Sequence, residues 1–332
     1  MKALQERNRR YAGLNRMFDF CYHKTQTVLH VGCEKPHAYF IPYESETAAR
    51  TGVRGRSRDF LSLCGEWDFR FYPSLLNIED FLSEAFSRSG MDKIDVPRSW
   101  QTMLGRGYDT PNYTNVDMPF ALDPPHVPDD NPCGLYVRDF TVTGKMLEKS
   151  VYLNFEGVDS CFYLFINDRF VGYSQVSHMT SEFLVNEYLH EGANTIKVLV
   201  LKWCDGTYIE DQDKFRFSGI FREVYLLLRD PVHIVDLYVH PTLNEDFSVG
   251  ELMVEAERNG DAEISYRLLS PEGATIAEGR TGKEIRVRVA SPVLWNDEEP
   301  RLYTLLLSCG SEHICQKIGF KQLTIRNNVL YI

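Results

Sequence analysis

The chain has 332 residues, of which 43% are hydrophobic and 25% charged, a composition that excludes wholesale disorder, collagen and coiled coils. Its length suits two or three domains of ordinary size. Thirty-six Lys and Arg against 47 Asp and Glu give a net charge of −11. That balance repels phosphate backbones and anionic lipid, so we expect neither nucleic acid nor a membrane as a partner.

The amino-terminal residues and the cysteines bear on the compartment. Residues 1–24 are basic but lack an apolar core, which argues against a secretory signal. No run of 18 apolar residues could span a membrane. The eight cysteines contain no Cys-x-x-Cys pair, and we interpret them as buried thiols, not as disulfides or zinc ligands. We therefore expect a cytoplasmic protein.

The first two segments differ in their hydrophobic pattern. Residues 1–59 predict an irregular amino-terminal arm, because Pro36 and Pro42 interrupt any helix. From Phe60 apolar residues alternate with smaller or polar ones, the period of a strand with one buried face. Aromatic residues reach 13% of the chain, and strands accept them readily. We predict an all-β fold with a jelly-roll sandwich over residues 60–230, interrupted only by short helical possibilities such as residues 79–87.

Two local features of this sandwich stand out. Seven prolines fall between Val96 and Gly134, too many for regular structure in a stretch too aromatic for a solvated linker. Long ordered loops of this kind usually carry function. Asn167 and Asp168 separate two strand patterns, and both residues tolerate the positive φ of a two-residue turn, so we predict a hairpin there.

In the carboxyl-terminal third the strand patterns are shorter and evenly spaced. Seven strand patterns separated by turns over residues 231–318 predict an immunoglobulin-like sandwich without the Cys-Trp-Cys framework. The last dozen residues form one more apolar strand.

Polar clusters fall in two stretches and, more weakly, in a third. Residues 205–213 place four carboxylates in nine positions, an arrangement that needs cations or hydroxyl donors nearby. A solvated acidic loop is the alternative, but Phe215, Phe217, Ile220 and Phe221 should pin this loop to core strands. Residues 105–120 combine Tyr with Asn and Asp, which suits a sugar, although such a loop can also pack its own aromatics. Residues 172–178 end a strand with polar side chains.

Motifs of other enzyme classes are missing. The sequence has no Gly-x-Ser-x-Gly, phosphate loop, His-Glu-x-x-His or Rossmann glycine pattern. The chain alone offers no obvious nucleophile and base.

Taken together, these motifs resemble the amino-terminal part of the β-galactosidases of glycoside hydrolase family 2. The resemblance runs from about His37 to the last residue, and the form of residues 210–213 favours this branch over glucuronidases and mannosidases. Its markers are residues 63–69, 96–101, 113–116, 172–175, 181–183, 205–213, 218–224, 294–303 and 319–321.

The resemblance implies an activity that this chain would not complete by itself. Family members hydrolyse terminal β-D-galactosides such as lactose with retention, using two glutamates on a (β/α)8 barrel. That barrel follows the immunoglobulin-like domain, so residues 319–332 would be its lead-in strand and both glutamates would lie elsewhere. We expect the isolated chain to be inactive, and the complete enzyme to be a homo-oligomer.

The resemblance also assigns roles to four residues. Asp213 would bind a galactose hydroxyl and help to ligate sodium, and Asn115 would reach the same sugar. Gln175 and Asp205 match positions that in some members contribute to a peripheral magnesium site. An asparagine of the arm completes that site elsewhere, whereas here Gly32 stands near its position.

Two rival interpretations remain. The chain could be a stand-alone carbohydrate-binding module, or a subunit that complements a separately encoded barrel chain without catalysis of its own.

Overall fold

The structure is a computed structural model that describes residues 21–331 apart from 116, 211, 212 and 283. The described chain divides into two compact units. The first contains residues 21–35 and 62–227, and the second contains residues 36–61 and 228–331. The segment expected to form a single arm is therefore shared between the units, and its residues 1–20 lie outside the described residues.

The first unit is built almost entirely from strands. Its two main sheets have the strand orders β1-β10-β9-β12-β6-β3-β4 and β11-β7-β15-β2, and two small sheets pair β13 with β5 and β14 with β8. The strands are β1 (His30–Val31), β2 (Phe60–Ser62), β3 (Gly65–Tyr72), β4 (Asp92–Val96), β5 (Asn112–Tyr113), β6 (Cys133–Val142), β7 (Ser150–Phe155), β8 (Val158–Asp159), β9 (Cys161–Ile166), β10 (Arg169–Gln175), β11 (Ser181–Leu184), β12 (Gly192–Leu201), β13 (Phe215–Arg216), β14 (Gly219–Ile220) and β15 (Val224–Arg229).

The large sheet is covered on both faces. On one face Phe162 of β9 contacts Phe155 of β7 and Phe183 of β11, with ring centroids 4.9 and 6.0 Å away. On the other face a cluster that includes Tyr163 and Tyr173 packs against Tyr22. All six residues of β9 are consequently buried, which explains its unbroken apolar sequence.

The predicted hairpin is confirmed, and the predicted helix is wrong. Asn167 and Asp168 have φ of 50° and 62° between the paired strands β9 and β10. Residues 79–87 form turns, and the nearest helix is the 3-10 turn Leu75–Asn77. The described helices are α1 (Glu46–Ala49), α2 (Gly144–Leu147) and the 3-10 turns Tyr22–Lys24, Arg54–Arg56, Leu75–Asn77, Trp100–Thr102, Asn186–Tyr188 and Asp205–Tyr208.

The second unit is an antiparallel sandwich. Its sheets have the strand orders β16-β17-β20 and β19-β18-β21-β22, and these seven strands lie within residues 231–318, as expected. Alternate residues such as Leu252 and Val254 of β17 enter the core, which also receives Phe40. The strands are β16 (Ile234–Leu243), β17 (Val249–Arg258), β18 (Ile264–Leu269), β19 (Thr275–Thr281), β20 (Glu284–Ala290), β21 (Tyr303–Cys309) and β22 (Glu312–Ile318).

The last described residues form a hairpin and not the single strand expected for residues 319–332. The strands β23 (Thr324–Arg326) and β24 (Val329–Tyr331) pair across Asn327 and Asn328. Both asparagines have positive φ, 51° and 63°, as a two-residue hairpin turn requires.

All eight cysteines are free; Cys133, Cys161, Cys204 and Cys309 are buried, and the other four are partly exposed. In the part of the chain that the structure describes, no helix is long and apolar enough to cross a membrane.

Candidate functional site: two loops joined by a short sheet

A two-residue sheet brings the proline-rich loop beside the acidic loop. β5 lies within the proline-rich loop, β13 directly follows the acidic loop, and they pair antiparallel with Tyr113 opposite Phe215 and Asn112 opposite Arg216. The two stretches that sequence reasoning singled out separately therefore form one site in the first unit.

Three polar side chains converge at the exposed surface of this site. The Tyr113 hydroxyl donates a hydrogen bond to Asp213 Oδ1, and Asn115 Nδ2 donates to the Tyr113 hydroxyl at 3.5 Å. The hydrogen bond to Asp213 raises the pKa of Tyr113. The two residues assigned to sugar binding thus lie on different loops and share one partner.

Aromatic rings flank these polar groups, in an arrangement that the sequence did not predict. Phe215 is 57% exposed and Phe217 36% exposed, so the expectation that they pin the loop to the core is wrong. Their neighbour Ile220 is fully buried. The Phe215 ring lies 5.6 Å from the Tyr113 ring, centroid to centroid, which leaves apolar ring surface beside hydrogen-bonding groups, as a sugar requires.

Arg216, between the two exposed phenylalanines, is the buried residue of this strand. Its side chain is 2% exposed. Nε donates to Thr114 Oγ1 at 3.3 Å and Nη2 donates to the Thr207 carbonyl at 2.8 Å. Arg216 therefore joins the proline-rich loop to the first turn of the acidic loop.

A second buried cation holds the proline-rich loop. Lys202, 4% exposed, ends the apolar run of β12. Its ammonium group donates to the Asp109 carboxylate and the Asn112 side-chain oxygen, and to the Thr110 carbonyl at 3.3 Å. Burial lowers the pKa of Lys202, and Asp109 opposes that shift.

The carboxylates of the acidic cluster are not equivalent. Glu210 accepts hydrogen bonds from the Ser177 backbone N–H at 2.8 Å and the Ser177 hydroxyl at 2.7 Å. Asp205 is buried, Asp213 is exposed, and Asp211 lies outside the described residues. The hydroxyl donors expected from the repulsion argument are therefore present for Glu210 and Asp213.

A buried acid lies beneath the loop. Asp159 is 6% exposed and lies 3.6 Å from the Lys214 ammonium. Burial raises the pKa of Asp159 to about 6, and the positive charges of Lys214 and Arg216 oppose this rise.

Gln175 and Asp205 form a neighbouring polar pair. Burial raises the pKa of Asp205, and the Gln175 amide opposes that rise. Asp205 Oδ2 is buried and has no hydrogen-bond partner among the described residues, which fits a cation ligand. Gly32 supplies no side chain, and a Cβ there would lie 2.4 Å from the Val171 carbonyl oxygen. Within the described ranges, no group of three or more His, Cys, Asp or Glu could hold a metal.

Sequence reasoning missed Arg216, Lys202 and Asp159. Arg216 and Asp159 lie in short strands beside an aromatic or apolar residue, and Lys202 directly follows the apolar strand β12. A charge is costly to bury at such positions without partners. A charged residue interrupting such a strand is the signal that could have identified them.

Family models match both units. The model of the glycosyl hydrolases family 2 sugar binding domain matches residues 60–231, and that of glycosyl hydrolases family 2 matches residues 232–321.

Curated relatives match nearly the whole chain. A β-galactosidase of Actinobacillus pleuropneumoniae is 45% identical over 93% of this chain and 30% of its own length. A β-galactosidase of Staphylococcus xylosus is 39% identical over 94% of this chain and 31% of its own. The chain thus spans about a third of these relatives.

Solved structures show the same fold at low identity. A β-glucuronidase from an uncultured Clostridium species has a TM-score of 0.64 at 20% identity, covering 80% of this chain and 45% of that one. The β-glucuronidase of Ruminococcus gnavus has a TM-score of 0.63 at 16% identity, covering 82% and 46%. With family models matching most of the sequence, the chain belongs to glycosyl hydrolases family 2.

Proposed function

We propose that this chain forms the sugar-binding and immunoglobulin-like part of a β-galactosidase, in which Asn115 and Asp213 bind the galactosyl group. The observation that carries the proposal is the exposed arrangement of Tyr113, Asp213 and Asn115 beside the Phe215 ring. The names of the curated relatives support galactosides such as lactose as the substrate class.

The chemistry of the site is that of binding. A carboxylate accepts hydrogen bonds from sugar hydroxyls, an amide both donates and accepts, and aromatic faces cover apolar sugar surface. Retaining hydrolysis needs two carboxyl groups about 5 Å apart on either side of the glycosidic bond. We place those groups on a barrel supplied in cis or in trans, so the isolated chain binds without hydrolysing.

Two cations belong to the same proposal. Asp213 would contribute one carboxylate to sodium, with further ligands from the barrel. Gln175 and Asp205 would hold magnesium, and the buried Asp205 Oδ2 supports this, while Gly32 leaves the arm without a side-chain ligand. Such ions would stabilise the loops by neutralising buried charge.

The cytoplasm is the proposed location, and a homo-oligomer the proposed form of the complete enzyme.

A second candidate function is that of a stand-alone carbohydrate-binding module, favoured by the convergence of the site residues within the first unit alone. A subunit complementing a separate barrel chain is the third.

Binding is tested by titrating the purified chain with galactose, lactose and glucose, observed by NMR. The variants are Asp213→Asn and Asn115→Ala, and Glu66→Gln is the control because Glu66 is an exposed carboxylate that pairs with Lys93, outside both loops. We expect galactose and lactose to shift resonances of the two loops, and the two site variants alone to lose this response.

Activity is tested by hydrolysis of a nitrophenyl β-galactoside. The chain is assayed alone and after mixing with a polypeptide carrying the remaining part of the Actinobacillus relative. We expect hydrolysis only in the mixture, and its loss with Asp213→Asn. Hydrolysis by the chain alone would contradict the proposal, whereas micromolar binding without restored hydrolysis would favour the stand-alone module.

A further inference from the structure

The buried guanidinium of Arg216 connects the two loops at residues next to the proposed sugar ligands. Thr114, which accepts from Nε, directly precedes Asn115. Arg216 itself follows Asp213 by three residues. Both Thr114 and Thr207 are buried, at 2% and 0% exposure, so these hydrogen bonds lie beneath the surface that carries Asn115 and Asp213.

Burying the Arg216 guanidinium costs free energy, so a contribution to stability alone does not account for it. Removing a cation from water costs several kcal/mol, and the acceptors of Arg216 include an uncharged hydroxyl and an uncharged carbonyl. The positive charge of Arg216 also opposes the burial that raises the pKa of the Asp159 carboxyl. An apolar residue at position 216 would be buried without that cost.

The planar shape of the group explains what an apolar residue could not do. A guanidinium donates in fixed directions from one plane, so Nε and Nη2 set the distance between Thr114 and Thr207. Above them the Tyr113 hydroxyl closes the gap to Asp213. Arg216 thus cross-links the loops in the interior, and Tyr113 cross-links them at the surface.

We infer that Arg216 is a positioning residue, which holds Asn115 and Asp213 at the separation that one sugar needs. The inference rests on the proposed function of these two residues. It adds that the sugar site is preorganised by a group that does not touch the sugar. Preorganisation lowers the ordering cost of binding, so its loss weakens affinity even when the fold is retained.

The test compares Arg216→Lys, which keeps the charge but loses the planar fork, with Thr114→Val, which removes one acceptor and leaves Arg216 in place. Arg222→Met is the control, because Arg222 is exposed and donates to the His178 carbonyl instead of to either loop. The purified 332-residue chain is used, under conditions where each variant is folded by circular dichroism. Thr114→Val decides the matter if Arg216→Lys does not fold.

Two measurements are made on each variant. The first is the galactose dissociation constant, which we expect to rise about 5- to 100-fold in Arg216→Lys, less in Thr114→Val, and not in Arg222→Met. The second is hydrogen exchange of residues 112–115 and 207–210, which we expect to accelerate at least tenfold relative to the β6 and β12 core. A merely structural role predicts faster exchange throughout the first unit and an unchanged dissociation constant of the folded protein.

The two measurements separate failure of this inference from failure of the proposed function. If the unsubstituted chain does not bind galactose, direct binding by this chain is wrong, and exchange in the two loops still tests the cross-link. The inference would be overturned if Arg216→Lys and Thr114→Val showed the same hydrogen exchange in the two loops and the same galactose affinity as Arg222→Met.

Discussion

Among the residues that the structure describes, two arginines are buried, one in each unit, and they have different partners. In the second unit Arg229 faces Glu312, with Nε 3.1 Å from both carboxylate oxygens and Nη2 2.8 Å from Oε2. Nη2 also donates to the Ile234 carbonyl at 2.7 Å. In the first unit Arg216 donates to a threonine hydroxyl and a backbone carbonyl on two loops.

The difference indicates what each arginine does. Glu312 neutralises Arg229 and also accepts from the Asp230 backbone N–H at 2.7 Å, so this pair fixes the start of the second unit to β22. Arg216 donates to Thr114 and Thr207, which lie on different loops, so it fixes the relative position of these two loops. The buried Arg229–Glu312 pair stabilises the fold of the second unit, whereas Arg216 positions the two loops of the proposed site.

The largest effect on stability should come from breaking the buried Arg229–Glu312 ion pair. Glu312→Gln leaves Arg229 charged and buried, and we expect the second unit to lose about 3–5 kcal/mol of unfolding free energy. Urea unfolding of 5-fluorotryptophan-labelled protein measures this, because Trp295 is the only tryptophan in the second unit. Arg229→Met combined with Glu312→Leu should recover most of the loss. A change below about 1 kcal/mol would show that the pair is dispensable.

The next effect is the contribution of Asp159, a residue of the first unit, to the pH dependence of stability. Native Asp159 keeps its proton up to about pH 6, whereas an unfolded Asp loses its proton near pH 4. At this carboxyl the native state therefore binds more protons between these values, so the contribution of Asp159 to the free energy of unfolding falls as the pH rises through them. This carboxyl contributes at most about 3 kcal/mol to that fall.

Asp159→Asn should remove this fall, measured by urea unfolding at pH 4, 5, 6 and 7 with Trp67, Trp100 and Trp203 as probes. The Trp295 signal serves as the internal control and should not change. An identical pH profile in the variant and the unsubstituted protein would show that Asp159 is ionised throughout.

A smaller effect tests the surface link above Arg216. Tyr113→Phe keeps the ring beside Phe215 and removes the hydroxyl shared by Asn115 and Asp213. Because Tyr113 is exposed, we expect the urea midpoint to stay the same while the galactose dissociation constant rises about fivefold. Retained affinity would mean that the interior link suffices.

The smallest effect should come from an exposed ion pair of the second unit. Arg280 Nη1 lies 3.1 Å from Glu263 Oε2, and both side chains are more than half exposed. Arg280→Gln should therefore change the unfolding free energy by less than about 1 kcal/mol, measured through Trp295. A loss as large as that of Glu312→Gln would remove the distinction between buried and exposed pairs.

Strand periodicity made the second unit the more predictable of the two. Alternate residues of β17 and β20 face the core, so position in the sequence determines burial. The turn at Asn167 and Asp168 was equally predictable from the sequence, since these side chains tolerate the positive φ values that the turn requires.

The site was only half predictable. Tyr, Asn and Asp residues indicated sugar chemistry, but hydrophobicity predicted that Phe215 would be inside. The structure instead exposes Phe215 and buries Arg216, because β13 pairs with β5 of a distant loop and its inner side meets polar groups. Such a reversal depends on tertiary pairing, which local pattern does not contain. The hairpin at Asn327 was missed because its apolar flanks concealed the turn residues.

The hydrogen bonds of Lys202 to the proline-rich loop make its amine a reporter of loop motion. An amine that is almost wholly enclosed and bonded to three oxygen acceptors cannot react with an acylating ester until the loop lifts away. The rate at which Lys202 is acylated therefore measures how often the loop opens. A sugar that holds the loop closed would slow this labelling while the exposed lysines react as before.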